Sequence, residues 1–199
     1  MVNLSSGIVA LGANLPASAQ GPVDTLHETV GILHAEPEIS ITALSRFWRT
    51  PAYPPGSGPD FANAAALIRT SLPADALLAR LHAIEAEAGR DRSTGRWSAR
   101  VLDLDLIALD GQILPDETTL RHWIGLAPQD QGRVAPDRLI LPHPRMQDRG
   151  FVLAPLAEIA PGWRHPLTGR SVAEMLAALG ADDLAGMRPL EAGDLGAFA

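Results

Sequence analysis

The chain has 199 residues, enough for one domain with a full core, and its 46% hydrophobic and 20% charged residues suit a globular protein. A net charge of −7 opposes a general nucleic-acid binder, and the absence of cysteine excludes a disulfide framework and a thiolate metal site, as suits a reducing cytoplasm. All sixteen Lys+Arg positions are arginine, so a P-loop with its lysine is excluded; no apolar run approaches the ~18 residues of a membrane span, and no Lys/Arg-led apolar segment opens the chain as a secretory signal would.

The run at 8–12, closed by Gly12-Ala13-Asn14, reads as a buried strand. A helix is expected over 22–35, with Leu26, Val30 and Leu33 on one stripe and Pro22 in the first turn. Residues 39–49 are β-rich and read as a second strand, and 52–59, with its prolines and glycines, as a loop. Alternation over 61–70 predicts a third strand, paired antiparallel with the second. Leu77, Leu78, Leu81 and Ile84 predict a helix over 73–88, with Gly89 as its C′ residue. An arginine-rich loop follows over 89–99, then a strand carrying Asp103 and Asp105.

Periodicity is lost over 115–137, which reads as an insertion loop: a lid, an oligomer contact or a mobile segment. Trp123 is read there as a local packing anchor. A short strand is expected at 139–141, helices over 149–159 and 172–179, and a loose tail over 180–199. Neither an internal repeat nor a domain boundary is visible. The order β-α-β-β-α-β predicts a single α+β domain over 1–199: a ferredoxin-like core, its antiparallel sheet covered by helices on one face, plus a C-terminal helical extension.

Chemistry concentrates in the fourth strand. Leu102, Leu104 and Leu106 alternate with Asp103 and Asp105, so the leucines can enter a core while both carboxylates share the other face, ~7 Å apart. Two carboxylates at that spacing can hold Mg²⁺ together with substrate phosphates. Arg90, Arg92, Arg96 and Arg100 lie just upstream, and the arginine fork matches phosphate. Taken singly, the aspartates could be solvated strand residues, the arginines a solubilising loop, and Phe61 and Phe151 core aromatics. His27, His34, His122 and His165 show no metal spacing.

Six collinear blocks span about 8–166: Ala10-Leu11-Gly12-Ala13-Asn14-Leu15; Ser45-Arg46-Phe47-Trp48-Arg49-Thr50-Pro51; Asp60-Phe61-Ala62-Asn63; Glu85 with Gly89-Arg90-Asp91-Arg92; Arg96-Trp97-Ser98-Ala99-Arg100-Val101-Leu102-Asp103-Leu104-Asp105; and Leu141-Pro142-His143-Pro144-Arg145 running to Arg149-Gly150-Phe151. Together they resemble the 6-hydroxymethyl-7,8-dihydropterin pyrophosphokinases. The resemblance implies transfer of diphosphate from ATP to the hydroxymethyl group of the dihydropterin, giving AMP, in folate biosynthesis. Asp103 and Asp105 are then the ligands of two Mg²⁺ ions, with Arg90 and Arg92 also catalytic. Glu85, Arg92, Trp97, Arg100, Arg138, His143 and Arg149 fall at ATP-binding positions. Thr50, Pro51, Tyr53, Phe61, Asn63 and Phe151 fall at pterin-binding positions, the two phenylalanines sandwiching the ring. Ala13, His82, Ser93, Ile140 and Pro144 depart from common family choices without removing an implied metal ligand.

The implied partners are ATP and the pterin, with neither nucleic acid nor membrane, in a cytoplasmic monomer or weak dimer. Two rival readings are a non-catalytic pterin- or nucleotide-binding homologue and a ferredoxin-like nucleic-acid module that stacks bases on sheet aromatics.

Overall fold

The computed structural model describes residues 3–15, 21–52, 58–89, 101–131 and 133–191. Two central strands, β1 (Ser5–Ala13) and β4 (Phe61–Thr70), pair antiparallel along their length. On the other side of β1 runs β5 (Asp103–Leu109), antiparallel and at the sheet edge. The stretch expected as one second strand is two, β2 (Ile39–Leu44) and β3 (Trp48–Thr50), both paired with β4. Ser45 makes the break. Its N–H donates to Ala65 O at 2.9 Å, and its hydroxyl accepts the Ala65 N–H at 2.9 Å. The side chain thus takes a place in the ladder that a backbone carbonyl would otherwise fill.

α1 (Pro22–Ala35) and α2 (Ala74–Glu87) lie on one sheet face. Leu26, Leu33, Leu77, Leu81 and Ile84 are fully buried there against Val9, Leu11 and Leu104. Each such side chain stabilises the fold by roughly 1.5–3 kcal/mol relative to exposure. Pro73 enters α2 in extended geometry, and Gly89, at φ +89°, leaves it in the left-handed conformation that glycine adopts without strain.

The ferredoxin-like order is therefore present, but helices cover both faces. On the second face α5 (Gly150–Ile159) and α6 (Val172–Leu176) bury Val152, Leu153, Leu156, Val172 and Met175 against Ile8, Ala65 and Ile107. This explains why β1 is buried from Gly7 to Ala13 and why β5 loses alternation after Leu106. The open face expected around the aspartates is reduced to one end of the sheet.

The 115–137 insertion is also ordered differently from a loop. It contains α3 (Glu117–Ile124) and α4 (Pro128–Gln131). Asp116 caps α3 by accepting the Thr119 N–H at 2.8 Å, and Leu120 is buried. The expected strand at 139–141 is a single bridge, Leu114 to Leu141. The tail is not loose over 180–191: α7 (Ala181–Leu184) is followed by β6 (Arg188–Pro189), which pairs with β3. No helix among the described residues is long and apolar enough to cross a membrane.

Candidate active site

Strand register assembles the site. Asp103 is paired with Gly12, Gly12 with Asn63, and Asn63 with Trp48. Opposed residues of antiparallel strands share a face, and so do residues two apart along a strand. Asp103, Asp105, Asn63 and Phe61 therefore stand on one face, with Thr50 opposite Phe61. Asn63 donates through Nδ2 to Thr50 Oγ1 at 2.7 Å, and both are buried. Gly12 keeps the floor open between Asn63 and Asp103. A Cβ there would lie 2.8 Å from Asn63 Oδ1.

Above this floor is a cavity of about 750 Å³. That size suits a bound small molecule. Asp103, Asp105, His143, Arg149, Thr50, Pro51, Phe61, Asn63, Phe151 and Arg138 all line it. These expected site residues come from β3, β4, β5, the 138–145 segment and the start of α5, and the fold brings them to one place.

Arg149 lies just before α5. Its Nη1 is 3.2 Å from Asp105 Oδ2, and its Cζ is 5.5 Å from the Phe151 ring centre. A guanidinium held this way keeps further N–H donors for an anion. His143 is fixed against β5, its N–H donating to Ile107 O at 2.7 Å. Its Nδ1 accepts the Arg145 N–H at 3.1 Å, which assigns the ring proton to Nε2. Burial, and then the nearby Arg149 charge, hold the His143 pKa well below the usual histidine range, so the ring is neutral at pH 7.

Glu85 is placed differently from expectation. It is 1% exposed, does not line the cavity, and accepts the Leu104 N–H through Oε1 at 2.7 Å. Leu104 separates the two aspartates, so Glu85 supports their strand from beneath. Arg138 reaches the cavity wall from an exposed position, paired with Asp137 at 3.1 Å. Tyr53, Arg90, Arg92, Trp97 and Arg100 lie outside the described residues.

Several further wall residues lie outside the expected site set. Trp123, read as a packing anchor, lines the cavity with Gln131 and Val134 of the insertion and Leu78 of α2. Arg145 lines it too. Burial and then Arg149 lower the Arg145 pKa, and its Nη1 has no hydrogen-bond partner among the described residues. Arg145 stands in the Leu141–Arg145 block that carries the resemblance, which is a signal for it; nothing local flags Trp123. Among the described residues no group of three His, Cys, Asp or Glu side chains is arranged to hold a metal ion.

A family model for 7,8-dihydro-6-hydroxymethylpterin-pyrophosphokinase matches residues 8–161. A Synechocystis protein named 2-amino-4-hydroxy-6-hydroxymethyldihydropteridine pyrophosphokinase is 35% identical over 170 residues, covering 85% of this chain and 73% of its own. A Pseudomonas aeruginosa protein of the same name is 35% identical over 170 residues, covering 85% and 89%. The Plasmodium falciparum HPPK-DHPS wild-type crystal structure superposes with a TM-score of 0.61 at 12% identity, over 88% of this chain and 44% of that one. This chain thus spans under half of that solved protein, and the likeness is one of fold. By the matched family model and by its relatives, the chain belongs to the 7,8-dihydro-6-hydroxymethylpterin-pyrophosphokinase family of folate biosynthesis.

Proposed function

We propose that this pyrophosphokinase transfers diphosphate from ATP to the pterin hydroxymethyl group within the cavity over β1, β4 and β5. The observation that carries the reading is the row Asp103–Gly12–Asn63, which sets carboxylates and an amide edge on one floor. The pterin hydroxyl oxygen attacks the β-phosphorus of ATP, the bond from that phosphorus to the α–β bridging oxygen breaks, and AMP leaves with the electron pair. The hydroxyl proton goes to solvent.

Thr50, Pro51, Phe61, Asn63 and Phe151 hold the pterin. Asn63 offers the ring edge both a donor and an acceptor, and the phenylalanines offer flat apolar surface. Arg149 and Arg138 meet the phosphates, and neutral His143 offers Nε2–H to a phosphate oxygen. The resemblance adds Tyr53 to the pterin end and Arg90, Arg92, Trp97 and Arg100 to the nucleotide, with Arg90 and Arg92 serving the chemical step. Glu85 takes its part through Leu104.

The donor set fits two Mg²⁺ ions. Asp103 and Asp105 are hard oxygen ligands sharing one face, both half-buried, and phosphates and water would complete the coordination. Bound there, Mg²⁺ would draw charge from the phosphates as the bond breaks. The reading includes a cytoplasmic monomer or weak dimer with neither nucleic acid nor membrane as partner; the net charge of −7 supports it against nucleic acid alone.

The test is AMP release from ATP, with and without 6-hydroxymethyl-7,8-dihydropterin. AMP is expected only with both pterin and Mg²⁺. Asp103→Asn and Asp105→Asn should each lower turnover by roughly a hundredfold or more, on the scale of losing one electrostatic transition-state group, with thermal stability near wild type. Full turnover in both variants would overturn the metal assignment. ADP as product would overturn the site of attack.

A further inference from the structure

The cavity continues past the outer edge of β5. Its floor runs from Thr50 through Asn63 and Gly12 to Asp103, and β5 is the last strand. Beyond that edge lies the 139–143 segment, held by the bond from His143 N–H to Ile107 O at 2.7 Å. Leu114 and Leu141 exchange backbone hydrogen bonds of 2.9 and 3.1 Å, tying the entry of α3 to the same segment. Leu78, Trp123, Val134 and Ile140 line the same cavity, and the ties of α3 and the 139–143 segment to β5 set this apolar group on the side of the carboxylate strand away from β4, which carries Phe61.

Pterin and phosphates leave this end without an occupant. Of the two substrates, only ATP carries a second flat group, and it lies on the phosphates' far side from the pterin. Trp123 is only half-buried, although α3 is already anchored by the Asp116 cap and by fully buried Leu120. Its indole is a wall of the cavity and not the plug of a core.

We propose that Trp123 is a further binding residue for the nucleotide, its indole forming one wall of the subsite that takes the base of ATP. This rests on the reading that the phosphates lie at Asp103, Asp105 and Arg149. An aromatic wall favours a base over no base, since every base presents a π-face. The insertion then contributes to substrate binding, and base and phosphate recognition come from different parts of the chain.

Binding to the full chain, with Mg²⁺, is measured for an ATP analogue with an α,β-methylene bridge and for inorganic tripolyphosphate. Trp123→Ala should weaken the analogue about tenfold and leave tripolyphosphate unchanged. Trp123→Phe should recover most of the loss. In turnover, KM for ATP should rise in Trp123→Ala while KM for the pterin stays. Unchanged analogue binding would overturn the proposal. An equal loss for tripolyphosphate would overturn it too, because the effect would then be general. If tripolyphosphate fails to bind even the wild type while the analogue still weakens in Trp123→Ala, the base subsite stands and the phosphate reading falls.

Discussion

At the scale of single residues, two that are not proposed to touch the phosphates shape the site. Gly12 leaves room that a methyl group would fill, 2.8 Å from Asn63 Oδ1. Asn63 is short and tethered to Thr50 at 2.7 Å, so it has little room to give. Gly12→Ala should therefore tilt the amide and raise the pterin KM about tenfold, in line with losing a hydrogen bond of roughly 1.5 kcal/mol, with less effect on KM for ATP. Equal changes in both would show that the methyl disturbs the whole sheet. Glu85 acts through backbone. Glu85→Gln keeps an acceptor for the Leu104 N–H, whereas Glu85→Leu leaves that N–H without one at a cost of about 1–3 kcal/mol. Thermal unfolding should rank wild type above Gln above Leu, with Leu lower by several degrees. A Leu variant as stable as wild type would remove Glu85 from the support of β5.

At the scale of elements, the C-terminal segment braces the pterin end. Leu190 N–H donates to Phe47 O at 2.7 Å, β6 pairs with β3, and Gly186 approaches Pro51 so closely that a Cβ would meet its Cγ at 2.9 Å. A chain ending at Leu179 should keep its core, since α1, α2, α5 and α6 remain. Thr50 and Pro51 would lose their outer support, and pterin affinity should fall severalfold while tripolyphosphate binding holds. Unchanged pterin affinity would make the tail a bystander. This brace was illegible in the sequence because β6 has two residues and no periodicity. Leucine stripes made α1 and α2 legible, and alternation put both aspartates on one face. The Ser45 break, the cover provided by α5, the burial of Glu85 and the placing of Trp123 all depend on partners distant in sequence, which no local pattern encodes. The burial of Glu85, a residue expected at the nucleotide, in particular has no local signal, because a carboxylate is buried only where a partner awaits it.

At the scale of the whole molecule, protonation couples to folding. His165 is 1% exposed, and its Nδ1 accepts the Leu167 and Thr168 N–H groups at 3.2 and 3.4 Å. Its buried Nε2 has no partner among the described residues. Burial lowers its pKa, as burial and Arg149 lower that of His143. An unfolded histidine titrates near ~6.5, so below that pH the unfolded chain binds protons that the fold refuses. Stability from this source is therefore fully present above about pH 6.5 and drains away as the pH falls toward the folded-state values. A second acid limb begins lower, near ~4, where Asp116, Asp137, Glu36 and Glu174 lose the hydrogen bonds that depress their pKa values. Asp148 opposes it, since burial raises its pKa and favours its neutral form in the fold. Melting temperature measured across pH 4.5–7.5 should thus start to decline near 6.5, before the carboxylates titrate. His165→Asn keeps an acceptor where Nδ1 stands but cannot take up a proton. It should shrink this upper limb to the share left by His143 and leave the lower limb in place. An upper limb of undiminished size in His165→Asn would assign the effect to His143 alone, and a melting temperature flat from pH 7.5 to 4.5 in the wild type would show that neither ring is held neutral by the fold.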